Sequence, residues 1–116
     1  MISGVRRRVH FTSKMISAAG LRTSAVGNYG RPIIEALLDE IDYDVLAVEL
    51  SSFQLHWVHT VALWGAACTN LHADHLEWYA HEPDPMDAYA ADKAKIYERV
   101  THASGAFGPS GQDRKS

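Results

Sequence analysis

Three groups of side chains able to do chemistry follow directly on apolar runs. Glu49, Ser51, Ser52 and Gln54 come after Val45-Leu46-Ala47-Val48; Asn70, His72, Asp74 and His75 come after Val61–Thr69; Asn28 comes after Arg22–Val26. Carboxylates and imidazoles bind metals or carry protons, and hydroxyls and amides orient polar ligands. A mixed carboxylate–imidazole set such as Glu49 with His72, Asp74 and His75, with hydroxyls nearby, suits a hard divalent ion that keeps several waters, as magnesium does. Zinc favours more nitrogen or sulfur, and Cys68 stands inside its apolar run, not at its end. The plain alternative for Glu49-Leu50-Ser51-Ser52 is a strand that turns polar as it meets solvent. His56, His59 and His81 read as solvent-facing loop residues, and His10 and His102 carry no assignment.

A fourth candidate is a lysine. Met86, Ala90, Lys93, Tyr97 and Val100 fall on one helical face, with Tyr89 and Ile96 beside them, so Lys93 sits in an apolar stripe. A lysine pointed at a core must snorkel, pair with an acid or be chemically altered. Snorkelling is the plain alternative. Lys95 is expected to face solvent.

These residues need elements to hold them. Val45–Leu50 is short, apolar and rich in β-branched residues, the pattern of a parallel strand covered on both faces. Val5, Val9, Ile16 and Ala19 fit one helical face that Gly20 would end. Arg22–Val26 reads as a strand, and Pro32 opens a helix whose buried stripe is Ile33, Ile34, Leu37, Leu38 and Ile41. Gln54–Thr60 reads as a polar bend and Val61–Thr69 as another strand. Asp84 caps a helix with Pro85 in its first turn, running to about Val100. The sum is an α/β chain, a fragment of a parallel sheet. If its strands are parallel neighbours, the three polar ends converge on one edge, where open α/β sheets bind ligands. A partial domain is expected over residues 1–103 and a disordered tail over 104–116, where Gly, Ser, Pro and charges dominate.

Composition excludes several classes. At 116 residues there is room for one small domain, with 47% hydrophobic and 22% charged residues. A formal net charge of −3, and no aromatic residues alternating with Arg6-Arg7-Arg8, argue against nucleic acid as a partner. No run approaches the ~18 apolar residues that span a bilayer, so no membrane is expected. The N-terminus lacks a signal-peptide apolar region, and the lone Cys68 suits a reducing cytoplasm.

Between Ala18 and Val100 the sequence resembles the central, ATP-binding domain of the Mur ligases. The likeness is carried by Gly27-Asn28-Tyr29-Gly30-Arg31-Pro32, Glu49-Leu50-Ser51-Ser52-Phe53-Gln54-Leu55, Asn70-Leu71-His72-Ala73-Asp74-His75-Leu76 and Tyr89-Ala90-Ala91-Asp92-Lys93-Ala94-Lys95-Ile96-Tyr97, in that order. The resemblance implies ATP-driven amide formation in peptidoglycan precursors, with Mg2+ as cofactor and ATP as co-substrate. It is strongest to the members that join D-glutamate to UDP-N-acetylmuramoyl-L-alanine. Glu49 and His75 would then hold magnesium, and Lys93, carbamylated, would complete the metal-binding and catalytic set. Asn28, Ser51, Ser52 and Gln54 would contact the muramoyl substrate, and Asn70 and Asp74 the nucleotide.

The departures are as informative. The family opens this domain with a strand and a Gly-Thr-Asn-Gly-Lys-Thr phosphate loop, and nothing here fits Gly-x-x-x-x-Gly-Lys-[Ser/Thr]. The flanking domains of such ligases are also expected to lie outside this sequence. Tyr29 replaces the family's usual isoleucine, and Glu82-Pro83-Asp84-Pro85 resembles a small insertion. An isolated chain without the loop is expected to be inactive. One alternative is a non-catalytic remnant that binds another protein. A lesser one is a metal hydrolase, since Asn70-Leu71-His72-Ala73-Asp74-His75 approaches the His-x-His-x-Asp-His motif of metallo-β-lactamase-like enzymes, with Asn70 in the first histidine's place.

Overall fold

The computed structural model describes residues 4–28, 30–69, 71 and 76–106. The chain divides into two compact units, Met1–Leu50 and Ser51–Ser116, where composition suggested one domain. Each has a small core: Val26, Ala36 and Ala47 are the buried apolar residues described in the first, and Leu55, Tyr79 and Tyr89 in the second.

The first unit begins with helix α1 (Gly4–Ala18). The helix stops where Gly20 takes a φ of +87°, a left-handed conformation that its missing Cβ permits, and Gly20 N–H bonds back to Ser17 O at 2.9 Å. Strand β1 (Thr23–Gly27) pairs in parallel with β2 (Val45–Glu49), in register from Thr23↔Val45 to Gly27↔Glu49. Between them lies α2 (Ile33–Leu38), entered through Pro32 in extended backbone. Its expected buried stripe is corrected here. Only Ala36 is buried, while Leu37 and Leu38 are 68% and 76% exposed and Ile34 and Ile41 are also exposed. Six residues make fewer than two turns, too short for a continuous stripe to reach the sheet.

What anchors α2 is polar. The Arg31 guanidinium pairs with Asp39, and it donates to Tyr43 Oη at 3.1 Å and Ser24 Oγ at 3.2 Å. Tyr43 Oη also donates to Asp39, at 2.5 Å. These contacts hold the Asp39 carboxyl below the ordinary aspartate range, chiefly through the hydrogen bond from Arg31, and raise Arg31 in turn.

The second unit opens with α3 (Ser52–His56), where a polar bend was expected. A capping box explains the difference: Ser51 Oγ accepts from Gln54 N–H at 3.2 Å, and Gln54 Oε1 accepts from Ser51 N–H at 2.9 Å. Then come β3 (Gly65–Cys68), a 3-10 turn at Leu76–Tyr79, and α4 (Pro85–Ala94), capped by Asp84 accepting from Asp87 N–H. The helix predicted to reach Val100 tightens into a 3-10 turn at Lys95–Tyr97. Strand β4 (Ala103–Ala106) follows, so residues 104–106 are strand where a tail was expected. β4 pairs in parallel with β3, and the Tyr97 hydroxyl bridges them, accepting from Cys68 N–H at 2.7 Å and donating to Gly105 O at 2.6 Å.

The described strands thus form two parallel pairs, β1–β2 and β3–β4, the sheet fragment expected of this α/β chain. Gly4–Lys14, where a phosphate loop was sought, is helical. No helix among the described residues is long and apolar enough to cross a membrane.

Candidate functional site

In the first unit the strand ends bring Asn28 and Glu49 together. Gly27 and Glu49 are register partners, and Asn28 N–H donates to Glu49 O at 2.9 Å. Gly27 holds a φ of +133°, and a Cβ there would lie 2.0 Å from Glu49 O, so only glycine permits this approach. Gly27 N–H in turn donates to Arg31 O at 2.9 Å. The loop after β1 therefore pins the backbone of Glu49, whose residue is only 9% exposed. A cavity of about 70 Å³ opens beside it, lined among others by Val9, His10, Val26, Gly30, Arg31 and Glu49. A carboxylate in a recess of a few waters is a hard oxygen donor, the kind magnesium takes while keeping its own waters. Asn28 is exposed.

Sequence reasoning named Gly27 only as part of a motif and gave His10 no role. The positive φ of Gly27 leaves no trace in composition, although a glycine at a strand end is a signal of close approach. His10 gave no signal beyond its place on α1.

The second unit holds Ser51, Ser52, Gln54 and Lys93. In the capping box Ser51 Oγ and Gln54 Oε1 act as acceptors, which leaves the Ser51 hydroxyl proton and the Gln54 amide protons to donate to a ligand. Ser52 is buried and its side chain hydrogen-bonds the Tyr79 hydroxyl. Tyr79 Oη donates to Asp92 Oδ2 at 2.9 Å, and His56 Nδ1 meets the same oxygen at 2.9 Å. A carboxylate acceptor places the imidazole proton on Nδ1. Burial, more than the Asp92 carboxylate, pushes the Tyr79 hydroxyl up to about 12.

The buried charge on α4 is Asp92, at 7% exposure, and sequence reasoning missed it. Lys93 is half-buried, its Nζ 5.8 Å from the centre of the Tyr89 ring, a cation–π distance. Two further expectations are corrected. His56 closes α3 and is bonded to Asp92, where a solvent-facing loop residue was expected. Lys95 donates from Nζ to His56 O at 2.8 Å and so satisfies a carbonyl at the end of α3.

Asn70, Asp74 and His75, with His72, lie outside the described residues, as does Tyr29. Among the described residues no group of three or more His, Cys, Asp or Glu side chains is arranged to hold a metal ion.

Comparison with known proteins shows the family. Residues 9–109 match the family model of the Mur ligase middle domain. Over 96 residues the chain is 49% identical to the UDP-N-acetylmuramoylalanine–D-glutamate ligase of Streptomyces coelicolor, covering 83% of this chain and 20% of that enzyme. The like-named enzyme of Thermobifida fusca is 50% identical over 97 residues, with 82% and 20% covered. That of Leifsonia xyli is 42% identical over 103 residues, with 84% and 19% covered. The chain spans about one fifth of the length of these curated relatives. The metallo-β-lactamase-like alternative gains no support from any of them. With most of its length matched, this chain belongs to the Mur ligase family, as part of its middle domain.

Proposed function

We propose that the chain is the metal-holding portion of a cytoplasmic ligase that adds D-glutamate to UDP-N-acetylmuramoyl-L-alanine at the expense of ATP, and that it does not turn over alone. The observation that carries this reading is the buried Glu49 carboxylate at the end of a parallel strand pair, its backbone gripped by the Gly27–Asn28 loop. The substrates in the names of its relatives support the choice of D-glutamate addition.

Glu49, His75 and a carbamylated Lys93 would hold magnesium. When bound, the ion neutralises phosphate charge that would otherwise repel an incoming substrate carboxylate. The chain's own groups do the rest. Asn28, Ser51, Ser52 and Gln54 hold and orient the muramoyl-alanine portion, the free donors of the capping box pointing to an acceptor-rich ligand. Asn70 and Asp74 are assigned to the nucleotide on the family resemblance alone. No Gly-x-x-x-x-Gly-Lys-[Ser/Thr] loop is present to cradle the β- and γ-phosphates, which is why the pure chain is expected to lack turnover.

Calorimetry with magnesium and UDP-N-acetylmuramoyl-L-alanine tests this. Binding that weakens on Glu49→Ala or His75→Ala is expected, and no heat from either ligand ends the proposal. ATP-dependent amide formation by the pure chain would refute the predicted inactivity. A second reading, a non-catalytic remnant, draws support from the exposed apolar residues of α2. A monodisperse, cooperatively melting monomer speaks against it.

A further inference from the structure

We propose that His56 is a positioning residue for Lys93. Two holds connect the last residue of α3 to the helical segment that carries the lysine. The imidazole takes hold of Asp92, one residue before Lys93, through Nδ1 and Oδ2 at 2.9 Å. The main-chain carbonyl of His56 is held by Lys95, two residues after, at 2.8 Å. Lys93 is thus bracketed by two bonds to a single residue.

The same carboxylate oxygen ties in the start of α3. Tyr79 donates to Asp92 Oδ2 at 2.9 Å, and Ser52 hydrogen-bonds Tyr79, so both ends of α3 converge on Asp92. Aromatic rings wall this network: His56 packs edge-on to Trp78 at 5.1 Å, and Tyr79 edge-on to Tyr89 at 5.9 Å. Tyr89 is the ring over which the Lys93 ammonium lies at 5.8 Å. A buried carboxylate with fixed donors has few alternative arrangements. It therefore sets the rotation of α4 about its axis, and with it the direction in which Lys93 leaves the helix. Of the two holds, the imidazole is the one a side-chain substitution removes; the carbonyl hold of Lys95 persists in any His56 variant.

The proposal rests on Lys93 being a site residue, but its test reads only where Lys93 lies, so failure to bind magnesium or nucleotide would not decide it. The 116-residue chain is labelled with 13C-lysine, and the Hε–Cε signals are recorded, with Lys93→Arg identifying that of Lys93. Tyr89 and Lys93 share α4, so the seating of that helix is read against a residue outside it: a nuclear Overhauser contact between the Tyr79 and Tyr89 rings, whose centres lie 5.9 Å apart, is recorded beside the Lys93 signal and is expected in the parent chain. His56→Ala is expected to lose the ring contact and to move the Lys93 signal while circular dichroism still reports a folded chain. His56→Asn, whose side-chain NH2 takes the place of Nδ1–H, is expected to restore both. An unchanged ring contact and Lys93 signal in a folded His56→Ala chain overturn the proposal, as does a folded His56→Asn chain that restores neither. Loss of fold in both variants assigns His56 to general stability and overturns it as well.

Discussion

At the scale of single residues, the two positions under most constraint were the hardest to see. Gly27→Ala would set a Cβ against the Glu49 carbonyl at a positive φ, so it is expected to destabilise the first unit by about 1–3 kcal/mol. Urea unfolding measures this, and an unchanged midpoint would contradict the close approach. Tyr79 gives a pH signature. Its folded-state pKa is raised to about 12 from an ordinary 10.0, so its contribution is complete below about pH 10 and is lost as pH rises through 12. Tyr79→Phe is expected to lower stability at neutral pH by about 1–3 kcal/mol, through the loss of its bonds to Asp92 and Ser52, and to flatten the alkaline loss. Glu49 and Ser51 were legible because a carboxylate and a hydroxyl ending an apolar run are unusual. Asp92 was not, because a single acid on a helix reads as surface until the Tyr79 and His56 partners are placed beside it.

At the scale of elements, one cap marked its helix and another lay hidden in a polar run, while apolar periodicity misled about burial. Asp84 with Pro85 marked the start of α4 correctly. The Ser51–Gln54 spacing is also a capping box, but the polar run Gln54–Thr60 that follows reads equally well as a bend, which hides the short helix α3. Ser51→Ala is expected to cost about 1 kcal/mol through loss of the cap, apart from any effect on ligand. Thermal melting of the free chain isolates that part. The apolar stripe of α2 misled because periodicity reports a face suited to burial, not the element that covers it. Its real anchor, Arg31 with Asp39 and Tyr43, has an acid-side signature. The Asp39 carboxyl is held down in the folded chain, so its contribution is present above the ordinary aspartate range and fades as pH falls through the lowered value. Arg31→Met is expected to move acid unfolding, followed by circular dichroism, to higher pH; an unmoved transition would leave α2 without this anchor.

At the scale of the whole chain, the α/β class and the parallel pairing were readable from short apolar runs alternating with helical segments. The division at Leu50 was not, because it depends on which strands share hydrogen bonds, and Val45–Leu50 gives no sign of its neighbours. Small cores and exposed Leu37 and Leu38 favour association. Leu37→Glu with Leu38→Glu is expected to raise solubility and reduce concentration-dependent sedimentation. The Glu49 recess is proposed to take a hard divalent ion, and manganese, a paramagnetic stand-in for magnesium, reads this out by NMR. Selective broadening of the Gly27, Asn28 and Gly30 amide signals, abolished by Glu49→Gln, is the expected result. Uniform broadening across the chain, or broadening that survives Glu49→Gln, would contradict it.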